Sequence, residues 1–456
     1  MKWIVKLVAE VTPGQVVEHE IASVEREDLV APATVGLSIA EGKLILENLQ
    51  KQMVTAQVQH HNTSLKSCFR CGTAFRTKGY YSSTLRSVYG HVPMRVRRIR
   101  GCSCTGTQHH SYSTIFTDRY PITPELRHLT AKLAALLPFG KVTDFLSELL
   151  PLSAKVTAST VRNRTLKVGK RLEKSADELA APSHQPCPET VVGLDGAYLR
   201  SRHPRPERNF EVIVGKVMDQ TGRTTRLAAV REGGPETIEA TRRALRQHGV
   251  EETTTVTMLT DGDTGLRAIQ RHVAPQAEHV LDWFHIARRF ENLKQVAKGI
   301  TGLTEGRIRR HALDQLDRVK WRFWHGQVER GLMGLVHLRQ WAQAKCFAHM
   351  PTMEKLGKAL FDTIRYLETN ADSLPNYGQR HREKRRISTG FAESAVNEIV
   401  SRRMLKKQQM RWSRYTVQQF LNVRIHVLNN TLEDAFRHWH KGFRPQGEPI
   451  QLAPAA

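Results

Sequence analysis

Three carboxylates stand where this sequence can hold metal ions. Asp195 interrupts the apolar run 190–199, and a lone buried carboxylate is costly unless it is paired or bound to metal. Asp261 follows an apolar run at the carboxyl end of a second predicted strand, the edge where the active sites of open α/β sheets collect. Glu393 begins a predicted helix after a Ser-Thr-Gly turn. Carboxylate oxygens are the ligands that hard divalent cations prefer.

Each of these carboxylates also has an ordinary structural explanation. Aspartate next to glycine is common in turns and caps, and a glutamate in the first turn of a helix is stabilised by the helix dipole. Asp263 and Glu398 lie within about one helical turn of the favoured positions and stay open as alternative ligands.

Asp282 and His285 form a second pair, in the segment LDWFH. Their spacing of three at the start of a predicted helix puts them on one face, where they can meet as a hydrogen-bonded couple. A structural histidine held by a carboxylate is the preferred interpretation, so we treat the pair as supporting the site.

Four of the six cysteines are arranged as two close pairs, Cys68 with Cys71 and Cys102 with Cys104. Tetrahedral Zn²⁺ takes four such ligands, and a CxxC turn supplies two of them. The CxC pair is tighter than the usual spacing, and His109 or His110 is an alternative ligand. We expect a structural Zn²⁺ that holds a basic hairpin against DNA.

The charge balance indicates the class of partner. Lys and Arg number 69 against 44 Asp and Glu, a net charge of +25, which suits phosphate backbones. No apolar run approaches the roughly 20 residues of a membrane span, so we expect a soluble cytoplasmic protein that binds nucleic acid. Basic side chains of the predicted hairpin, of a helix and of two clusters flanking Glu393 are the expected DNA contacts: Arg95, Arg97, Arg162, Arg164, Arg385, Arg386, Arg402, Arg403, Lys406 and Lys407.

The order of the predicted elements favours a multi-domain α/β protein. Three hairpin-linked strands precede alternating helices and strands, which is typical of a mixed sheet. We expect the following parts in chain order: a strand and helix over 1–60, a zinc-binding β module over 61–115, a helix-turn-helix over 116–178, a catalytic domain over 190–290 and 380–432, a helical insertion over 291–379, and a C-terminal tail over 433–456.

The segments LDGAYLR, TDGDTGL, HVLDWFHIARRFENL and STGFAESAVNEIVSRRMLKKQQMRWS resemble the signature blocks of bacterial insertion-sequence DDE transposases. The ISKra-type group, akin to Mutator-like elements, is the group they resemble. The resemblance covers most of the chain and implies a ribonuclease-H-like mixed sheet with an all-α insertion. It places Asp195, Asp261 and Glu393 in the three metal-binding positions.

What this family implies is DNA transposition. Two Mg²⁺ or Mn²⁺ ions in such a site activate a water or a 3′-hydroxyl and stabilise the leaving oxygen of a phosphodiester. The resemblance also implies binding to the terminal inverted repeats and to target DNA, as a dimer or higher oligomer on the nucleoid of a bacterial cytoplasm. A DNA-binding regulator, or a nuclease without strand transfer, is the alternative. A carbohydrate hydrolase with a carboxylate pair fits the charge poorly, because neutral sugars give no reason for it.

Overall fold

The computed structural model describes residues 1–12, 15–26, 35–68, 70–100, 111–113, 121–152, 156–180, 187–203, 208–231, 235–300, 305–345, 351–405 and 410–444. The chain forms two compact units, the first from residues 1–171 with 431–456 and the second from residues 172–430. Its secondary structure is mixed α/β, with a five-stranded sheet of mixed direction and many helices. None of the described helices is long and apolar enough to cross a membrane.

The first unit contains two small antiparallel sheets and several helices. Its elements are β1 (Lys2–Thr12), β2 (Gln15–Glu25), α1 (Ile39–Ser64), β3 (Arg76–Ser87), β4 (Gly90–Arg100), β5 (Ser111–Ser113), α2 (Pro124–Leu136), α3 (Phe139–Leu149) and α4 (Ala158–Lys174), with α16 (Leu432–Trp439) from the other end of the chain. Strand β4 alternates buried apolar and exposed residues, and its buried side chains pack against Val54 and Val58 of α1.

Three consecutive helices, α2, α3 and α4, lie where the helix-turn-helix was predicted. Helix α16 falls in the segment expected to be a tail, and it packs against α2 instead. Phe436 of α16 meets the buried His128 of α2 edge-on at 5.1 Å, and Arg444 beyond the helix donates to Glu125 at 2.8 Å. The C-terminal region therefore helps to build the first unit.

The second unit is built on a sheet with the strand order β10-β9-β6-β7-β8. The strands are β6 (Glu189–Arg200), β7 (Asn209–Asp219), β8 (Thr224–Val230), β9 (Thr255–Thr260) and β10 (Glu278–Leu281). The β6–β7 and β7–β8 pairs are antiparallel, and the β6–β9 and β9–β10 pairs are parallel. The three hairpin-linked strands and the two later strands are those that the sequence predicts.

Helices cover both faces of this sheet. The remaining α-helices are α5 (Ala176–Leu179), α6 (Glu236–Gln247), α7 (Thr264–Val273), α8 (Trp283–Lys298), α9 (Glu305–Trp324), α10 (Val328–Lys345), α11 (Pro351–Thr369), α12 (Tyr377–Arg382), α13 (Gly390–Val396), α14 (Arg402–Met404) and α15 (Arg414–Leu428). A short 3-10 helix (Ala371–Ser373) follows α11, and a π-helical segment (Asn397–Ser401) joins α13 to α14. Helices α6 and α7 pack on the face that carries Val192 and Leu194 of β6.

Helices α8 to α11 share one hydrophobic core with the ends of β9 and β10. Leu259, Val280 and Leu281 of these strands are fully buried among apolar side chains of the helices, such as Phe290 and Phe323. The helical segment predicted as an insertion is thus continuous in packing with the sheet.

Candidate active site

Strands β6 and β9 bring the first two carboxylates to one level of the sheet. The parallel ladder between them pairs Gly193 with Leu259. Counting two residues onward along each strand reaches Asp195 and Asp261, so both lie at corresponding positions toward the carboxyl end of the parallel pair. Asp195 is half-buried within β6, and Asp261 directly follows β9.

Helix α13 carries Glu393 across the face of β6 on which Asp195 lies. Gly193 and Asp195 share a face because side chains alternate along a strand. A Cβ atom at Gly193 would lie only 2.7 Å from Phe391 Cζ and 2.8 Å from Ala392 Cβ. The absence of a side chain at Gly193 therefore lets α13 approach the strand closely, and Glu393 is exposed on the first turn of that helix.

The electrostatics of Asp195 show that these carboxylates interact. Burial raises the pKa of Asp195 above its usual value, and the negative charges of Asp261 and Glu393 raise it further. The Gly196 N–H, 2.8 Å from Asp195 Oδ1, and the nearby His285 act in the opposite direction. Charges from three separate elements thus act on one half-buried carboxylate.

Asp261 is held through its backbone as well as its side chain. The hydroxyl of Tyr366, from α11, donates to the Asp261 carbonyl at 2.6 Å. The Asp263 N–H donates to Asp261 Oδ1 at 3.0 Å. The intervening Gly262 has φ +88°, a conformation that glycine adopts readily, and a Cβ there would meet Leu281 at 2.8 Å.

The two alternative ligands are engaged elsewhere. Asp263 is the N-cap of α7, and its Oδ1 also accepts a hydrogen bond from Arg231 at 2.7 Å. Glu398 is paired with Arg226 and accepts from the Ser394 hydroxyl at 3.1 Å. The pKa of each carboxyl lies below its usual value, because these hydrogen bonds and positive charges outweigh the effect of burial. The contacts of both carboxylates favour Asp261 and Glu393 as the residues of the site.

The predicted pair Asp282 and His285 lies beside this edge. Asp282 is fully buried and caps α8, and His285 Nε2 lies 3.7 Å from its Oδ2. The same Oδ2 accepts a hydrogen bond from the hydroxyl of Thr389, immediately before α13. The pair therefore lies between the start of α8 and the helix that carries Glu393.

The donor set of the site fits a hard cation in chemistry, because all three side chains offer carboxylate oxygens. In the part of the chain that the structure describes, however, no three His, Cys, Asp or Glu side chains are gathered closely enough to hold a metal ion. The predicted magnesium ions stay a prediction.

Half of the predicted zinc site is described. Cys68 is buried and Cys71 is exposed, in a tight turn where the Gly72 N–H donates to the Cys68 carbonyl at 2.9 Å. Gly72 has φ +69°, which suits the turn. Cys102 and Cys104 lie outside the described residues, as do the alternative ligands His109 and His110.

Several of the predicted DNA contacts are on the surface. Arg95 of β4 is exposed beside the Tyr80 ring, and Arg386 and Arg402 are exposed as well. Arg385 is half-buried and donates to Glu278 at 2.8 Å. Arg162 is half-buried on α4. Lys406 and Lys407 lie outside the described ranges.

Three predicted DNA contacts need correction. Arg403 is only 1% exposed and packs over the Phe420 ring, and burial lowers its pKa to about 9. Arg164 is buried within α4, and burial lowers its pKa also. Arg97 donates to the carbonyls of Asn62 and Leu65, so it ties β4 to the end of α1. A cluster of basic residues in the sequence does not reveal which of its side chains are buried.

Sequence reasoning missed two residues that contact the candidate site or its neighbours. Tyr366 lies in a helical stretch, and nothing in the sequence there indicates that its hydroxyl donates to the Asp261 carbonyl. Thr389 lies in a turn, and its partner Asp282 is 107 residues away in the sequence. The Ser-Thr-Gly turn itself was the only available signal for Thr389.

Comparisons with known proteins give little further identification. No protein-family model matches the chain, and no curated protein matches it. Among solved structures, the chain is similar to the Drosophila P element transposase strand transfer complex, at 9% identity and a TM-score of 0.32. The similarity covers 70% of this chain and 94% of that one. A similarity of this size does not establish a shared fold.

Proposed function

We propose that this chain is a DNA transposase that cleaves DNA at the ends of a mobile element and joins them to a target. What supports the proposal is the placement of Asp195 on a central strand, of Asp261 at the end of its parallel neighbour and of Glu393 on a helix packed on the same face of that strand, with the charges of Asp261 and Glu393 both acting on Asp195. The five-stranded mixed sheet supports the ribonuclease-H-like core that the sequence resemblance implies.

The three carboxylates would hold the metal ions in this reaction. Asp195, Asp261 and Glu393 would hold Mg²⁺ or Mn²⁺, and a cation among them would stabilise the charged form of Asp195, whose pKa is raised by burial and by the charges of the other two carboxylates. Bound metal supplies Lewis-acid polarisation of the phosphate and lowers the pKa of the attacking hydroxyl. A water or 3′-hydroxyl oxygen would bond to phosphorus and release its proton to solvent as the bond to the leaving 3′ oxygen breaks, and the leaving oxygen would take up a proton.

Positive side chains would place the DNA backbone. The segment 48–117 contains ten Lys and Arg and no Asp or Glu, and it includes the exposed Arg95 and Arg98 of β4. Exposed Arg386 and Arg402 flank α13 in the sequence. Such contacts bind phosphates without reading sequence and give a strong salt dependence. Structural Zn²⁺ at the cysteine pairs, a helix-turn-helix formed by α2 to α4 and a dimer on paired DNA ends complete the proposal.

The test is cleavage of a labelled duplex that carries the ends of the element encoding this chain, in Mg²⁺, Mn²⁺ or chelator. We expect metal-dependent nicking by the wild type. In Asp195→Asn, Asp261→Asn and Glu393→Gln we expect the cleavage rate to fall by about 100-fold or more, the effect typical of removing one catalytic group. Asp263→Asn and Glu398→Gln are the matched controls, because their carboxylates are paired with arginine. DNA binding, measured in parallel, should persist in all five variants.

The outcomes separate the alternatives. Tight binding without cleavage by the wild type supports the regulator. Cleavage without joined products when a target duplex is added supports the nuclease. If Glu398→Gln abolishes cleavage while Glu393→Gln does not, the third carboxylate has been assigned wrongly.

A further inference from the structure

Asp282 has both carboxylate oxygens committed to different parts of the chain. It is 0% exposed, and a carboxylate in that position is costly unless its oxygens accept hydrogen bonds. Its Oδ1 accepts from the Phe284 N–H at 2.7 Å, which caps the start of α8. Its Oδ2 accepts from the hydroxyl of Thr389, which is 3% exposed.

Thr389 in turn supports the first turn of the helix that carries Glu393. Its carbonyl accepts hydrogen bonds from the N–H groups of Ala392 and Glu393, at 2.6 and 2.8 Å. A backbone hydrogen bond of 3.0 Å from the Trp283 N–H to the Ile387 carbonyl runs alongside. The turn before α13 is therefore fastened to the start of α8 by one side-chain bond and one backbone bond.

We propose that the Asp282–Thr389 hydrogen bond is a latch that positions Glu393 against Asp195. The proposal rests on the function assigned above to Glu393. Glu393 is exposed on the first turn of α13, which directly follows Thr389, so the direction of that carboxylate depends on how the turn is held. Asp282 and Thr389 are positioning residues that act through Glu393.

A purely structural explanation is that Asp282 only caps α8, as N-cap aspartates commonly do. Thr389→Val separates the two explanations, because it removes the hydroxyl and keeps the side-chain shape while the cap of α8 stays intact. Thr389→Ser restores the hydroxyl. Thr241→Val is the matched control: Thr241 is fully buried in α6 on the other side of the sheet and donates to the Thr237 carbonyl at 2.8 Å.

Two measurements on the full chain test the latch. The first is amide hydrogen exchange over residues 387–396, which needs no metal and no activity. The second is the Mg²⁺ concentration that gives half-maximal DNA cleavage. We expect Thr389→Val to speed the exchange and to raise the required Mg²⁺, each by about tenfold, which corresponds to about 1.4 kcal/mol, the scale of one hydrogen bond. Thr389→Ser should stay near the wild type in both.

Thr241→Val should lower the unfolding temperature without moving either measurement. Unchanged exchange in Thr389→Val would overturn the latch. Faster exchange with an unchanged Mg²⁺ requirement would overturn its role in positioning Glu393. If the wild type fails to cleave DNA, it is the proposed function that fails, and the exchange comparison alone decides whether the latch exists.

Discussion

Replacing Gly193 by alanine tests whether the contact between β6 and α13 sets the position of Glu393. The new Cβ would lie 2.7 Å from Phe391 Cζ and 2.8 Å from Ala392 Cβ. Nonbonded carbons prefer a separation of about 3.5–4.0 Å. The Phe391 ring can turn aside, but the Ala392 Cβ is fixed to its backbone, so α13 must move by about 1 Å away from β6.

The size of both effects follows from this displacement. Overpacking of a core contact costs about 1–3 kcal/mol, and for a unit of this size each kcal/mol lowers the unfolding temperature by about 2–4 °C. A displacement of about 1 Å at a catalytic group can cost about 100-fold in rate. We therefore expect Gly193→Ala to lose 10- to 100-fold, roughly, in DNA cleavage at a temperature where it remains folded.

Gly215→Ala is the matched control for this variant. Gly215 pairs with Leu194 across the β6–β7 ladder, and a Cβ there would lie 2.5 Å from Leu194 Cδ2. The clash falls on the face covered by α6 and α7, away from α13. Melting followed by circular dichroism, with cleavage corrected for the folded fraction, compares the two. If both variants cleave alike while their unfolding temperatures fall, the contact at Gly193 does not set the position of Glu393 and the reasoning is refuted.

Three further predictions concern the surroundings of the site and the basic hairpin. Tyr366→Phe leaves the Asp261 carbonyl without its donor and should lower both cleavage and the free energy of unfolding in urea, the latter by about 1–3 kcal/mol. Burial lowers the pKa of His279 to about 4. Below about pH 6.5 the unfolded chain therefore binds a proton that the folded chain excludes, and the free energy of unfolding should fall between about pH 6.5 and 4. Unfolding curves taken across this range should show a smaller fall in His279→Gln. Arg95→Gln should reduce the salt dependence of DNA binding by about one unit of log–log slope, whereas Arg97→Gln should mainly lower the unfolding temperature.

Strands β6 and β7 of the second unit could be predicted because both are rich in apolar residues. Strands β6 and β7 are covered by helices on both faces, and their sequences contain few polar interruptions. Strand β2 was missed, since Gln15–Glu25 mixes charged and small residues in a two-stranded hairpin largely exposed to solvent. Its buried side chains Ile21 and Val24 are three residues apart, so such a strand leaves no period-2 apolar pattern to detect.

In the candidate site, too, some residues could be recognised from the sequence and others could not. Asp195 and Asp261 are visible in the sequence because a carboxylate that interrupts or ends an apolar strand is unusual. The bond between Asp282 and Thr389 is not visible, because spacing along the chain does not reveal which buried hydroxyl meets which buried carboxylate. Arg403 shows the opposite error: it stands in a basic run but packs over an aromatic ring in the core.

The helical segment between Asp261 and Glu393 takes part in building the edge of the sheet. Tyr366 of α11 donates to the carbonyl of Asp261, and Tyr377 of α12 donates to the carbonyl of Leu281 at 2.7 Å. Burial raises the pKa of Tyr366 to about 12 and the pKa of Tyr377 well above its usual value, so both hydroxyls keep their protons and remain donors at neutral pH. Excising the helices would expose the core that they share with β9 and β10 and remove both donors. The chain segment between Asp261 and Glu393 therefore contains the residues that hold the backbone at Asp261 in place.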